Sequence, residues 1–355
     1  MPEGHTVHRL ARQFNDVFGG AALAVSSPQG KFAAGAGRLD GHVMELAEAH
    51  GKQLFVFFSH ELVMRVHLGL YGAWDFGGDS TFTGASSIGA PRRVGEQEEP
   101  ETGGGSSPVL YNGPPEPQGA VRVRMVSPHG WADLRGPAAC EVLTLAEAAA
   151  VRAKLGPDPL LNRPGGREEF VRRISKSATP VALQLMKQDV LAGVGNVYRA
   201  EVLFRRGLDP QLPGTSLQRG EAEALWDEIA LVMADGVLDG RIITTELADR
   251  PSGLGADVGH ALATAGMWAD RRGSEAAANA ATAPSEAAAD PATAEAGGEA
   301  GQVGPASSDN RNVPVEEAHY VYKRNGLPCL HCGTAVAMAE LGGRKLYWCP
   351  GCQRS

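Results

Sequence analysis

Two short segments near the end of the chain, CLHC and CPGC, restrict what it can fold into more than any other feature. Cys329, Cys332, Cys349 and Cys352 stand in the spacing C-x2-C-x16-C-x2-C. Two such pairs set four thiolates around a tetrahedral zinc ion, and a filled set of four leaves no open position for water or substrate. One structural Zn2+ is therefore expected, in a small finger over 313–355. Four unrelated buried cysteines would not share this spacing, and the flanks lack the βαβ pattern of a thioredoxin-like redox pair. His331, between two ligands, reads as a surface residue rather than a fifth ligand. The fifth cysteine, Cys140, stands alone with no role. Between the pairs, GGRKLYW puts Arg344 and Lys345 at a hairpin tip. They form either a solvated turn or a basic finger that enters a nucleic-acid groove.

The other end of the chain is equally ordered in pattern. It opens MPEGHTVHRL, and Val7, Leu10, Ala11, Phe14, Val17 and Phe18 form the apolar stripe of an amphipathic helix that Gly19 and Gly20 stop. The helix is expected to start at the second or third residue, so Pro2 and Glu3 are held rather than frayed. Two readings of these residues stay open. Proline at the first helical position and an acid in the first turn make a good helix start. Alternatively, removal of Met1 leaves Pro2 with a free secondary amine, whose pKa near 8 keeps a neutral, nucleophilic fraction at cellular pH. A neighbouring carboxylic acid, Glu3, would then protonate a leaving or ring oxygen.

Between these ends the chain first reads as strands. GKQLFVFFS and ELVMRVHLGLYGAWDF read as a hairpin, with Lys52 at the head of its first strand, and VRVRMVS alternates before WADLRG. Residues 1–143 are thus one helix with a mostly antiparallel sheet system. From about 150 the pattern turns helical. REEFVRRISK is a short helix, TPVALQLMKQ has Thr179 as N-cap and Pro180 at N1, and Val197 to Arg206 is a helix closed by Gly207. EAEALWDEIALVMADG is a further amphipathic helix. The glycine turn AGVGN (Ala192–Asn196) is either only a turn or a nest of N–H groups, with the Asn196 amide, that grips a phosphate. It lacks the Lys-Ser/Thr of a P-loop, so no nucleotide cofactor is expected.

The formal charge of −8 would argue against nucleic acid if it were spread evenly. It is not. The segment 77–118 carries two Arg against six acidic residues, and 270–312 carries three Arg against seven. Both are rich in Gly, Ala, Pro, Ser and Glu, which reads as two disordered inserts. The rest balances, with a basic excess of nine to five over 161–210, so the pI does not exclude DNA. No run of eighteen apolar residues and no signal-peptide core is present, so no membrane association and a cytoplasmic location are expected.

MPEG at the start, GK before a hairpin, HLGLYG at its end, LGPDPL, QDVLAGVGNVYRAEVLF and a terminal YKRNGLPCLHCG…GRKLYWCPGCQ occur in this order. In them the chain resembles the formamidopyrimidine-DNA glycosylase/endonuclease VIII family over nearly everything outside the two inserts. The resemblance implies an α+β fold: an N-terminal β-sandwich with the first helix (1–143, with the insert at about 77–118), a helix-two-turn-helix domain (150–265), the second insert (270–312) and the zinc finger. It implies roles as well. Pro2 matches the amine that attacks C1′ and forms a Schiff base, and Glu3 matches the acid that assists ring opening. Lys52 matches the lysine near the sugar and phosphate, and Asn196 and Arg344 match residues that hold the phosphates flanking the lesion. Arg135 would help clamp the backbone. Leu70 and Tyr71 match the wedge of the endonuclease VIII branch, which fills the stack when a base is flipped out; the alternative is that both belong to the hairpin core.

The implied reaction is base excision followed by β,δ-elimination on damaged double-stranded DNA, by a monomer found on the nucleoid when bound. Departures shape the substrate. His5 and Thr6 stand where many relatives have Pro-Glu, WADLRGPAAC keeps only Asp133 and Arg135 of a longer motif, and Asp189 replaces a basic residue. Oxidised pyrimidines such as thymine glycol and 5-hydroxyuracil are therefore the expected substrates. A lyase acting mainly on abasic sites and a non-catalytic zinc-finger protein binding damaged DNA are the alternatives. Both inserts are expected to be dispensable for chemistry, the second being the riskier deletion.

Overall fold

The computed structural model describes residues 2–90, 113–251 and 313–354. Helix α1 (Gly4–Phe18) buries the expected stripe: Val7, Leu10, Ala11, Phe14 and Phe18 are inside, and Val17 lies at its margin. The helix starts one position later than the sequence pattern suggests. Glu3 is the N-cap and Pro2 precedes it, so Pro2 is not the first helical residue. Gly19 and Gly20 end the helix, and Gly20, at φ +78°, donates its N–H to the Met44 carbonyl at 2.8 Å.

Strands β1 (Ala24–Ser26), β2 (Met44–His50), β3 (Gln53–Phe58), β4 (Leu62–His67), β5 (Ala73–Gly78), β6 (Ser87–Gly89), β7 (Val121–Val126), β8 (Gly130–Arg135) and β9 (Ala139–Thr144) make two antiparallel sheets. Their orders are β1-β7-β8-β5-β6 and β2-β3-β4-β9. Apolar residues from both, including Leu54, Val56, Met64, Val123, Met125 and Leu134, close one core with α1, as a β-sandwich does. Phe14 is the centre, edge-on to Trp74 at 4.8 Å and to Phe76 at 5.4 Å between ring centroids.

The β3–β4 hairpin forms as the alternation suggests. The second apolar run does not stay whole, however. It breaks at HLGLYG, and β4 and β5 enter different sheets, because Gly69 at φ +68° turns the chain where a side chain would be strained. Two helices escape the pattern reading, α2 (Ala33–Leu39) and α3 (Leu145–Ala153). The second has a local signal in Thr144 and Glu147, which form a reciprocal capping box.

The first insert is shorter than its composition suggests. Residues 77–90 belong to the fold: β6 pairs with β5, Ile88 is buried, and Gln13 holds Ala85 through its N–H at 2.8 Å and its carbonyl at 2.9 Å. Cross-strand pairing and one amide side chain override a Gly/Ser-rich composition here. Residues 91–112, and the whole of 270–312, lie outside the described residues.

The helical region contains α4 (Gly166–Ile174), α5 (Val181–Gln184), α6 (Asn196–Arg205) and α7 (Arg219–Asp239), packed on a core that includes Phe170, Leu185, Val202, Leu225, Trp226 and Ile229. Gly207, at φ +63°, ends α6. Thr179 is not a cap: Pro180 holds that position, and the Thr179 hydroxyl bonds the Ser177 hydroxyl instead, at 2.9 Å. The tail closes with the hairpin β10 (Ala337–Leu341) and β11 (Arg344–Trp348), joined by Gly342 and Gly343 in left-handed conformations. Leu346 of this hairpin reaches the helical core, while Tyr347, Tyr320 and Phe204 share a second cluster. A separate unit begins at Glu246; its described part, 246–251, holds one helical turn at Leu247–Asp249. No described helix is long and apolar enough to cross a membrane.

Candidate active site

Glu3 is fully buried, and its carboxylate caps a helix other than its own. Oε2 accepts the Gly195 N–H at 2.7 Å and Oε1 the Val197 N–H at 2.8 Å, at the N-terminus of α6. A helix N-terminus favours a negative charge, so α6 holds this carboxylate in place beside Pro2. The Gly4 N–H completes the clasp on the Gly193 carbonyl at 2.8 Å. The AGVGN turn is therefore more than a turn, but it is not a free phosphate nest: its N–H groups at Gly195 and Val197 serve Glu3.

Three glycines make this junction possible. Gly4, Gly51 and Gly193 meet backbone to backbone, and a Cβ on Gly51 would lie 2.8 Å from the Gly193 nitrogen. A Cβ on Gly193, at φ +102°, would meet Met233 at 2.9 Å. Gly51 and Lys52 form the two-residue turn between β2 and β3, so packing Gly51 on the AGVGN turn delivers Lys52 to the same place. Burial pushes the Lys52 ammonium below its ordinary pKa; the Glu3 charge opposes this and Arg344 adds to it. Across the hairpin, His67 pairs with Gln53, and burial, then the Lys52 and Arg65 charges, hold its ring below the usual histidine pKa.

The same register places the loop after β4 beside Lys52. In it Leu70 is 48 % exposed and Tyr71 80 % exposed, so neither is hairpin core. Both large apolar side chains stand in solvent in the loop that follows β4.

The four zinc-finger thiols converge. All four Sγ atoms lie within 4.8 Å of one another, with Cys329–Cys352 at 3.8 Å and Cys332–Cys349 at 3.4 Å. A tetrahedral zinc with Zn–S bonds of about 2.3 Å sets its sulfurs roughly 3.8 Å apart, so the cluster fits that ion. His331 is no ligand: its ring packs on Phe204 and Tyr320.

The finger is tied to α6 at two points. Lys345 offers its carbonyl to the Asn196 amide at 2.9 Å and to Arg199 at 3.1 Å, and Arg199 also bonds the Asn196 oxygen. Further along α6, the buried Glu201 collects the N–H groups of Tyr320, Val321 and Tyr322 at 2.7–2.9 Å. Arg344 opens β11 next to the glycine turn, and its charge is felt at both Lys52 and Arg199. Asn196 thus joins the site with its amide engaged on the hairpin that carries Arg344.

Arg135 does not join the site. Its guanidinium pairs with Asp75 inside the sheet and donates to the Gln118 carbonyl at 2.5 Å. Asp133 likewise holds Arg124 through two bonds, at 2.8 and 2.7 Å. The residues that stand out in WADLRG are sheet ion pairs, a partnership strand alternation does not reveal. Burial pushes the Cys140 thiol up to about 12. His5, buried edge-on to Tyr198 with Thr6 at 3.2 Å, is pushed down to about 3 by burial and then by the Arg9 charge. Arg199, Glu201 and Asp158 escaped the sequence reading as individual residues, although NVYRAEV and LGPDPL contain them.

Comparison with known proteins gives the same architecture. The formamidopyrimidine-DNA glycosylase N-terminal domain matches residues 1–104, the formamidopyrimidine-DNA glycosylase H2TH domain matches 155–247, and the zinc finger found in FPG and IleRS matches 326–354. Endonuclease 8 1 of Mycobacterium tuberculosis is 37 % identical over 353 residues, covering 99 % of this chain and 100 % of that one. Formamidopyrimidine-DNA glycosylase of Thermus thermophilus is 29 % identical over 204 residues, 56 % of this chain and 54 % of that one. Among solved structures, Lactococcus lactis Fpg in complex with DNA containing N7-benzyl-Fapy-dG superposes with a TM-score of 0.63 at 15 % identity, over the whole of both chains. Its complex with DNA containing an abasic site gives 0.62 at 14 %, over 99 % of this chain and all of that one.

Proposed function

The chain belongs to the formamidopyrimidine-DNA glycosylase/endonuclease VIII family, whose members are DNA glycosylases with AP lyase activity, and from that premise we propose that this enzyme of base-excision repair removes mainly oxidised pyrimidines. The observation that carries the mechanism is the burial of Pro2 and Glu3 against the N-terminus of α6, beside the Lys52 turn. With Met1 removed, the Pro2 nitrogen attacks C1′ of the flipped nucleotide and the glycosidic C–N bond breaks. The Glu3 carboxylate takes the proton that the Pro2 nitrogen sheds on attack and passes it to the sugar ring oxygen as the ring opens, leaving an iminium at C1′, while the departing base takes its proton from water. The iminium acidifies C2′–H. Loss of that proton lets the C3′–O bond break with the 3′ phosphate leaving, loss of the C4′ proton then lets the C5′–O bond break with the 5′ phosphate leaving, and water hydrolyses the iminium to free the Pro2 amine. Lys52, whose ammonium feels the Glu3 charge, acts on the sugar and its phosphate. Arg344 binds the flanking phosphates, with Asn196 holding its hairpin.

Leu70 and Tyr71 fill the space the flipped nucleotide leaves. Their exposure supports this, and so does the likeness to the endonuclease VIII branch. Thr6, where relatives carry an acid, leaves the base pocket without a second carboxylate and favours pyrimidines. The zinc is structural, and the enzyme works as a monomer, without a nucleotide cofactor, in the cytoplasm on nucleoid DNA. Tyr71→Ala is expected to slow excision from a duplex about 10- to 100-fold, the scale of one lost base–aromatic stack. On the same lesion in single-stranded DNA the loss should be under about threefold, because no stack needs repair there. Equal losses on both would remove the wedge role.

Borohydride trapping tests the whole reading. Duplexes carrying 5-hydroxyuracil, 8-oxoguanine opposite cytosine, and an abasic site are incubated with the enzyme, and the adduct is mapped by mass spectrometry. An adduct on Pro2, faster on 5-hydroxyuracil than on 8-oxoguanine, is expected. Adduct on the abasic duplex alone would leave a lyase. No adduct with binding retained would leave a non-catalytic DNA-binding protein.

A further inference from the structure

LGPDPL has no place in the chemistry above, yet it reaches the centre of the site. Asp158 is 4 % exposed. Its Oδ2 accepts the Gly51 N–H at 2.7 Å and meets His8 Nε2 of α1 at 2.8 Å, while Oδ1 accepts the Leu160 N–H at 2.9 Å. The same loop takes His50 Nε2 on the Gly156 carbonyl at 2.8 Å. It also binds the turn before and at the start of AGVGN: the Gly156 N–H donates to the Gln188 carbonyl at 2.8 Å, and the Ala192 N–H to the Pro157 carbonyl at 3.0 Å. Both residues before Lys52 are therefore held by this loop, which is itself fixed to the turn that faces Glu3.

We propose that Asp158 is the positioning residue for Lys52, its carboxylate locking the Gly51 peptide of the catalytic turn with His8 as its partner on the catalytic helix. The proposal rests on the role of Lys52 argued above. Packing of Gly51 on the AGVGN turn sets where this two-residue turn lies, and the peptide N–H of Gly51 is a directional bond that sets its orientation. A small displacement of a reacting group is enough to slow a step strongly. Asp158 stays ionised in this setting: burial would raise its pKa, but the His8 hydrogen bond and charge, with the N–H groups of Gly51 and Leu160, bring it below the usual aspartate value.

A double-mutant cycle separates positioning from general stability. Asp158→Ala, Lys52→Ala and the double variant are compared in single-turnover elimination on an abasic duplex, with duplex affinity and melting temperature measured alongside. Asp158→Ala is expected to slow elimination by about tenfold or more, with affinity for the duplex unchanged within about twofold. In the Lys52→Ala background the same change should cost less than about twofold, because the group it positions is gone. Equal penalties in both backgrounds, or no slowing, would overturn the proposal. Lys52→Ala at the wild-type rate would instead remove the Lys52 role, and this inference with it. Should Asp158→Ala not fold, Asp158→Asn, which keeps one acceptor and loses the charge facing His8, carries the same cycle.

Discussion

Glu3→Gln is expected to lower single-turnover base excision by about 10²- to 10⁴-fold, the usual contribution of a positioned general acid. The substitution removes the carboxylate that carries a proton to the sugar ring oxygen, and it also disturbs the site physically. Both carboxylate oxygens of Glu3 accept backbone N–H groups, from Gly195 and Val197. An amide nitrogen in place of either oxygen sets donor against donor in a site closed to water, a loss of about 1–3 kcal/mol. A lower melting temperature should therefore accompany the lost activity. The lyase step on a preformed abasic site should suffer much less, since that sugar already opens to its aldehyde without an acid. The contrast between intact lesion and abasic duplex is the measurement. Equal losses on both substrates would mean that Glu3 acts only by holding the two halves of the site together.

Removal of zinc should have a second large effect, on binding rather than on chemistry. Metal binding supplies about 10–16 kcal/mol of folding free energy in isolated fingers, and the four converging thiols are placed to gain it here. Its loss frees β10 and β11 and with them Arg344 and Lys345, while α1 and the sandwich keep a core that shares no residue with the finger. Chelation, or Cys349→Ser, is expected to weaken binding to an abasic-analogue duplex by at least about a hundredfold, through lost phosphate contacts. Fluorescence anisotropy reads the binding, and near-UV circular dichroism checks that the Trp74 core survives. Unchanged affinity after complete metal removal would exclude the finger from the DNA interface.

Much of this site can be read along the chain. The spacing of the four cysteines, the stripe on α1, the β3–β4 hairpin and the glycine that ends α6 are local patterns, set by covalent distance and by the 3.6 and 2.0 periods of helix and strand. They are visible because each is decided by neighbours in the sequence. Composition proved a weaker guide: the Gly/Ser-rich stretch after β5 belongs to the sheet because β5 and Gln13 claim it.

What the sequence by itself determined is which groups are present: a proline and an acid at the head of an amphipathic helix, a lysine at a hairpin turn, and four thiols ready for zinc. The tertiary structure alone decided which of them meet. Glu3 caps a helix that begins 193 residues later, Gly4, Gly51 and Gly193 touch, Asp158 holds the Lys52 turn, and Arg135 is drawn into the sheet by Asp75. A buried polar group takes whatever donor or acceptor the folded chain brings within about 3 Å, and that choice depends on long-range packing that no periodicity records.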